Sequence, residues 1–278
     1  MPTIDLYLVR HAESCGNITQ TKMNTYRKRH RDILHEPGLS LKGYIQSFLL
    51  RDYLPKSIKY DKVICSPLVR TVITAMISLS TFNNEPNPAV IHIVPYIKFH
   101  NTKLSRVNNV TELKEKVHNF KVWFHKTGIH MYQLFSQKHT KSPKNVTAIH
   151  FPSIDYAALE DYEHQFRENE RIHVIERFQE YISKLKGVST LLIFTHKRFI
   201  MNMNQTLKVP KNTSITKMIV DVVPNNTLDI KSSKIIYTPR INHTLKIKHK
   251  SELEMCRSSK LSLSKTRKRI KIDLNRIV

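Results

Sequence analysis

The residues best suited to chemistry stand in two short strings. They are Arg10-His11-Ala12-Glu13-Ser14-Cys15-Gly16-Asn17 and Thr195-His196-Lys197, and each ends an apolar run. A guanidinium, an imidazole and a loop of small residues with backbone N–H groups suit an anion. Taken alone, the octapeptide also suits an ordinary surface turn in which Asn17 only hydrogen-bonds its neighbours. Cys65-Ser66-Pro67-Leu68-Val69-Arg70 adds a cation on the first turn of a predicted helix. There it opposes the helix dipole, which favours acids at that end, and a bound phosphate would reverse that sign. A lone His after a strand is commonly a satisfied structural residue, but two of them with two arginines fit phosphoryl transfer. His11 would attack phosphorus in line while Arg10, Arg70 and a protonated His196 hold the equatorial oxygens. No third ligand accompanies the histidines at a metal-binding spacing, so neither metal nor cofactor is expected.

Such a site requires strands that end side by side. Ile4–Val9, Asp61–Cys65, Ala89–Val94 and Val188–Phe194 read as short strands, the last the most apolar. Helical patterns lie between them. One opens at Gly38-Leu39-Ser40 and runs to about Tyr53, with Ser40 as cap and Pro55 beyond its end; a second follows Ser66-Pro67, with Ser66 as cap, to about Ser80. Asn169–Lys186 carries an apolar face, and Asp155–His164 reads as helix. Alternating strands and helices predict an α/β fold with a mostly parallel sheet covered on both faces, and ligands gather at the carboxyl ends of such strands. Residues 101–152 leave this rhythm and read as a helical insertion. Ser214–Val223 and Leu228–Thr238 are further strand-like runs.

The chain of 278 residues has 46 Lys and Arg against 22 Asp and Glu, a formal charge of +24, which attracts polyanions. Residues 1–239 are read as one domain and 240–278 as a mobile basic tail, with 12 basic and 3 acidic residues, net +9. The tail has no aromatic residue, so nucleic acid would be held there by backbone electrostatics alone. Its cluster Lys265–Lys271 also suits a nuclear localisation signal in an otherwise cytoplasmic protein. Lys22–Arg31 is either a solvated basic face or a rim that gathers a charged substrate. Cys15, Cys65 and Cys256 are too few and scattered for a disulfide framework, and a reducing compartment is expected; Cys15 and Cys65, near the phosphate loop, read as core or incidental thiols, with low-pKa sensor cysteines as the alternative. No apolar stretch is long enough to span a membrane.

The strings LVRHAES, LSLKGYIQS, ICSPLVRT and IFTH resemble the signatures of the histidine phosphatase superfamily, phosphoglycerate-mutase-like branch. The resemblance covers roughly residues 1–238, weakly across 101–152, and implies a three-layer α/β sandwich. It implies His11 as a transiently phosphorylated nucleophile, Arg10 and Arg70 as a phosphate clamp, His196 as the second pocket histidine and Asn17 as a further phosphate contact. Two departures stand out. The family glutamate that protonates the leaving oxygen has its place at Phe99, in Pro95-Tyr96-Ile97-Lys98-Phe99, with His100, Glu112 and Asp155 as substitutes. Lys197 stands where a small residue often follows the histidine. The expected activity is metal-independent hydrolysis of a phosphorylated small molecule or phosphoprotein. The rivals are a degenerate member that only binds phosphorylated ligands, and a nucleic-acid-binding protein with a vestigial pocket.

Overall fold

The computed structural model describes residues 2–22, 37–83, 85–97, 109–133, 146–165, 174–223, 227–239 and 256. The basic run 23–31, Phe99, His100 and the tail cluster Lys265–Lys271 lie outside the described residues.

A seven-stranded sheet forms the centre. Strand β1 (Thr3–Arg10) leads to helix α1 (Cys15–Lys22), and α2 (Leu41–Ser57) follows. Strand β2 (Lys62–Cys65), helix α3 (Val69–Ser78), strand β3 (Thr81–Phe82) and strand β4 (Val90–Ile93) come next. Helix α4 (Val110–Trp123) runs into a π-helical turn, Phe124–Gly128. Then come β5 (Ile149–His150), β6 (Ser153–Asp155), α5 (Ala157–Gln165), α6 (Val174–Ser183), β7 (Thr190–Thr195), α7 (Lys197–Met203), β8 (Ile215–Val223) and β9 (Thr227–Tyr237). The strand order is β6-β4-β2-β7-β1-β8-β9. The strands from β6 to β1 pair in parallel, and β8 and β9 add an antiparallel hairpin.

The period-two alternation of the central strands explains the layering. Leu6 and Leu8 of β1, Ile64 of β2, and Leu191 and Ile193 of β7 pack on one face, against Phe178 and Ile182 of α6 and Phe199 and Ile200 of α7. Val9, Val63, Cys65, Leu192 and Phe194 pack on the other face, against α2, α3 and α4. Helices therefore cover both sides of a mostly parallel sheet, as the alternating pattern predicts.

Several boundaries differ from the sequence reading. Helix α2 begins where expected, with Ser40 Oγ accepting from Gly43 N–H at 3.0 Å, but it continues through Pro55 to Ser57. Pro55 lies in its last turn and lacks the N–H that would donate to the carbonyl four residues back. Ser66 does not cap α3; Leu68 is the N-cap, without a side-chain bond. Within 101–152 the described residues are not purely helical, because β5 pairs with β3 in a separate two-stranded sheet. The strand Ser153–Asp155 precedes α5 and pairs with β4; three residues are too few to show a period. Cys15 and Cys256 form a disulfide with Cα atoms 5.8 Å apart, a pairing across 241 positions that spacing alone does not disclose.

Candidate active site

Three adjacent parallel strands end at one level. Arg10 pairs with Thr195, and Phe194 is in register with both Val9 and Cys65. The residues that follow these strands are His11, His196 and Ser66. Backbone bonds carry the register one step beyond the ladder: His11 N–H donates to Thr195 O (2.9 Å) and Ser66 N–H to Phe194 O (3.0 Å). Residues far apart in sequence thus meet because apolar strands of matched length end together.

His11 is 5% exposed and His196 2% exposed, with ring centroids 5.1 Å apart. Nδ1 of His11 lies 2.7 Å from Ala12 O, an acceptor only, so Nδ1 carries the proton and Nε2 the lone pair. Burial above all, then Arg70 and Arg10, push His11 well below the usual histidine range, against a small opposing effect of the Ala12 bond. His196 is likewise pushed well down by burial, then by Arg70, His11 and Arg10. Burial beside two cations thus favours the neutral ring. A dianion between these groups would reverse the balance.

Arg10 donates from Nη1 to Pro210 O at 2.8 Å, and its buried Nε has no hydrogen-bond partner among the described residues. Burial lowers it to about 10, opposed by Glu13 and reinforced by Arg70, and it stays a cation at neutral pH. Arg70 stands on the first turn of α3 and acts electrostatically on Arg10, His11 and His196. Nδ1 of His196 is a second buried nitrogen without a partner among the described residues. An unmet buried polar group costs roughly 1–3 kcal/mol. Arg10, His11, Arg70 and His196 are thus brought to one edge of the sheet.

The loop after His11 is held from several sides. Asn17 Oδ1 accepts from Ser14 N–H (3.0 Å) and Ser14 Oγ–H (3.1 Å), so this end of Asn17 shapes the turn. Gly43 lies inside α2, where glycine is normally unfavourable, but a Cβ there would collide with the Glu13 carbonyl oxygen. The glycine of LSLKGY lets α2 lie directly on the loop. Cys15 N–H donates to Gly38 O at 3.0 Å, and Cys15 is bonded to Cys256. The reading of Cys15 as an incidental thiol is corrected accordingly. Cys65 is free and buried, and burial pushes its thiol well above the usual range.

The sequence reading gave no site role to Asn212 or Thr213, just before β8. Asn212 Nδ2 donates to His11 O at 2.9 Å, and Thr213 N–H donates to Arg10 O at 2.9 Å. Thr213 has φ +54°, which a β-branched residue adopts only when its surroundings impose it. The antiparallel pairing of Val9 with Ile215 delivers this segment to the site. It also missed Ser66, whose Oγ lies 2.8 Å from Nε2 of His196. Lys197 is exposed on the first turn of α7. Of the proposed acids, Asp155 accepts from Ala157 N–H (3.0 Å) and pairs with His92 (2.7 Å), and these contacts hold its carboxyl below the usual range. A carboxyl so held does not keep a proton to donate. Glu112 is exposed on the first turn of α4. Among the described residues, no three His, Cys, Asp or Glu side chains group as metal ligands, and no helix is long and apolar enough to cross a membrane.

Residues 6–93 match the family model described as Histidine phosphatase superfamily (branch 1), a span that holds Arg10, His11, Asn17 and Arg70. No curated protein matches the chain by sequence. Among solved structures, the chain is similar to the alpha-ribazole phosphatase from Shigella flexneri, with 17% identity, covering 85% of this chain and 100% of that one, at a TM-score of 0.41. It is also similar to the phosphoglycerate mutase from Bacillus anthracis str. Sterne, with 15% identity, covering 83% and 92%, at a TM-score of 0.44.

Proposed function

We propose that this chain, which belongs to the histidine phosphatase superfamily in its phosphoglycerate-mutase-like branch, hydrolyses phosphomonoesters through a phosphohistidine on His11. The observation that carries the reading is the setting of His11: Nδ1 is tied to Ala12 O, which leaves the lone pair on Nε2, and burial beside Arg10 and Arg70 favours the neutral ring. In the first step Nε2 attacks phosphorus and the ester oxygen leaves with the bonding pair. Arg10, Arg70 and His196 draw in the charge on the phosphoryl oxygens as it is redistributed. In the second step water attacks the phosphohistidine, the N–P bond breaks, and phosphate is released with a proton lost to solvent. Arg10 Nε and His196 Nδ1, buried nitrogens without partners among the described residues, support this reading, because phosphate oxygens could supply acceptors. Asn17 would reach the phosphate through its Nδ2 donors, since Oδ1 serves Ser14. Lys197 would meet a second anionic group of the substrate at the rim.

The test is turnover of p-nitrophenyl phosphate with and without His11→Ala, together with acid-quench trapping of the phosphoenzyme. Turnover and a phosphohistidine that both vanish in the variant are expected. Phosphate binding without turnover of any ester would leave a member that only binds phosphorylated ligands.

A further inference from the structure

Two hydroxyls stand at one nitrogen of His196. Ser66 Oγ lies 2.8 Å from Nε2 and Thr71 Oγ1 3.3 Å from it, and both residues are buried. They come from the β2–α3 connection and the first turn of α3, which also carries Arg70. Ser66 is fixed by its own N–H on Phe194 O (3.0 Å), and its Oγ accepts from Leu68 N–H at 3.5 Å. The other ring nitrogen, Nδ1, is buried without a partner among the described residues.

Resting on the phosphate site proposed above, we infer that Ser66, seconded by Thr71, is a positioning residue that keeps a proton on Nδ1 of His196 in both states of the ring. A hydroxyl can donate to the Nε2 lone pair of the neutral ring, and the same oxygen can accept from Nε2–H once the ring is protonated. Neither change requires the ring to move. A carboxylate at this place could only accept and would favour imidazolium whether or not phosphate was present. The charged and titratable groups acting on His196 are Arg70, Arg10 and His11, which disfavour a third positive charge until an anion arrives. With a hydroxyl partner the ring is neutral in the open site and takes up a proton as phosphate binds. In both states Nδ1–H is the donor presented to a phosphoryl oxygen.

The experiment is ¹⁵N NMR of the full chain labelled at histidine, titrated with inorganic phosphate at several pH values, for the wild type and Ser66→Ala. In the free wild type, His196 should be the neutral Nδ1–H tautomer, and it should become imidazolium on saturation with phosphate. In Ser66→Ala the tautomer preference should be lost and phosphate affinity should fall about tenfold, the scale of one hydrogen bond to a charged group. Ser66→Thr should restore both. If Ser66→Ala does not fold, Thr71→Val supplies the same comparison with a smaller effect. A free wild-type ring in the Nε2–H tautomer would overturn the inference, as would unchanged tautomer and affinity in Ser66→Ala. No phosphate binding by a wild type that shows the Nδ1–H tautomer would instead overturn the proposed phosphate site.

Discussion

His11 and His196 face each other at 5.1 Å with their planes inclined by 57°, each one residue beyond the end of a strand and those strands paired in parallel. Two neutral imidazoles this close share one electrostatic environment. Whatever protonates one ring makes protonation of the other harder, and this coupling bears on how the site responds to pH.

The acid limb of kcat/KM should lie below the usual histidine range. Burial, Arg70 and Arg10 all favour neutral His11, the nucleophilic form. Arg70→Gln removes one of these cations, so the limb should move to higher pH, together with at least a tenfold fall in kcat/KM from the weaker hold on the phosphoryl group. A pH–rate profile on an aryl phosphate measures both effects. Stability follows the same sign. In the unfolded chain both histidines take up protons near pH 6.5, whereas the native site resists protonation, so folding stability should fall as pH drops below about 6.5. Urea midpoints at pH 7.5 and 5.5, compared with those of a His11→Asn, His196→Asn double variant, test this.

Gly43→Ala should destabilise, although Gly→Ala within a helix ordinarily helps by about 0.5–1 kcal/mol. The added methyl meets the Glu13 carbonyl oxygen, a backbone group of the loop that holds Ser14 and Asn17. A loss of about 1–3 kcal/mol and weakened phosphate affinity are expected from denaturation and phosphate titration. A control alanine at Gly38, where no atom of the described residues lies within contact distance, should leave both nearly unchanged.

Cys256→Ser should lower stability by about 2–5 kcal/mol, because a cross-link over 241 positions removes much freedom from the unfolded chain. A peptide map without reductant should show the two cysteines in one linked fragment. Ending the chain at Pro239 removes Cys256 together with the net +9 segment, so Cys256→Ser is the control that separates the effect of the bond from that of the charge. Relative to that control, truncation should reduce the salt slope of polyanion binding by about 0.7–0.9 for each phosphate that the tail neutralises in the full chain.

Phe99→Glu tests the missing proton donor. Phenylalanine cannot protonate an alkoxide, whereas the p-nitrophenolate of an aryl ester leaves unaided. The wild type should turn over aryl esters and hydrolyse alkyl esters very poorly, and Phe99→Glu should improve the alkyl substrates preferentially, by up to about 10²-fold. The ratio of kcat/KM for the two ester classes in each protein decides it. Efficient alkyl hydrolysis by the wild type would assign the donor to another residue, with His100 the first to replace.

The clusters around Arg10, His11, Arg70 and His196 were legible in the sequence because their signals are local. Each follows a short apolar run or opens a helix, and a change in hydrophobic period marks the site without any knowledge of partners. The order of short apolar runs and helical patterns likewise carried the layered α/β arrangement, since strands alternating with helices form a sheet covered on both faces. Other features depended on contacts between distant segments. Nothing beside Ser66 in the chain indicates that its hydroxyl turns to His196, 130 positions away, rather than capping α3. Asn212 and Thr213 reach the site only because β8 pairs antiparallel with β1, and Cys15 meets Cys256 only through packing that no spacing encodes. Periodicity reports the water or core that each residue faces, which is a property of one segment. Hydrogen-bond partners and the charge state of a buried histidine depend on which segments meet, and only the tertiary structure decides that.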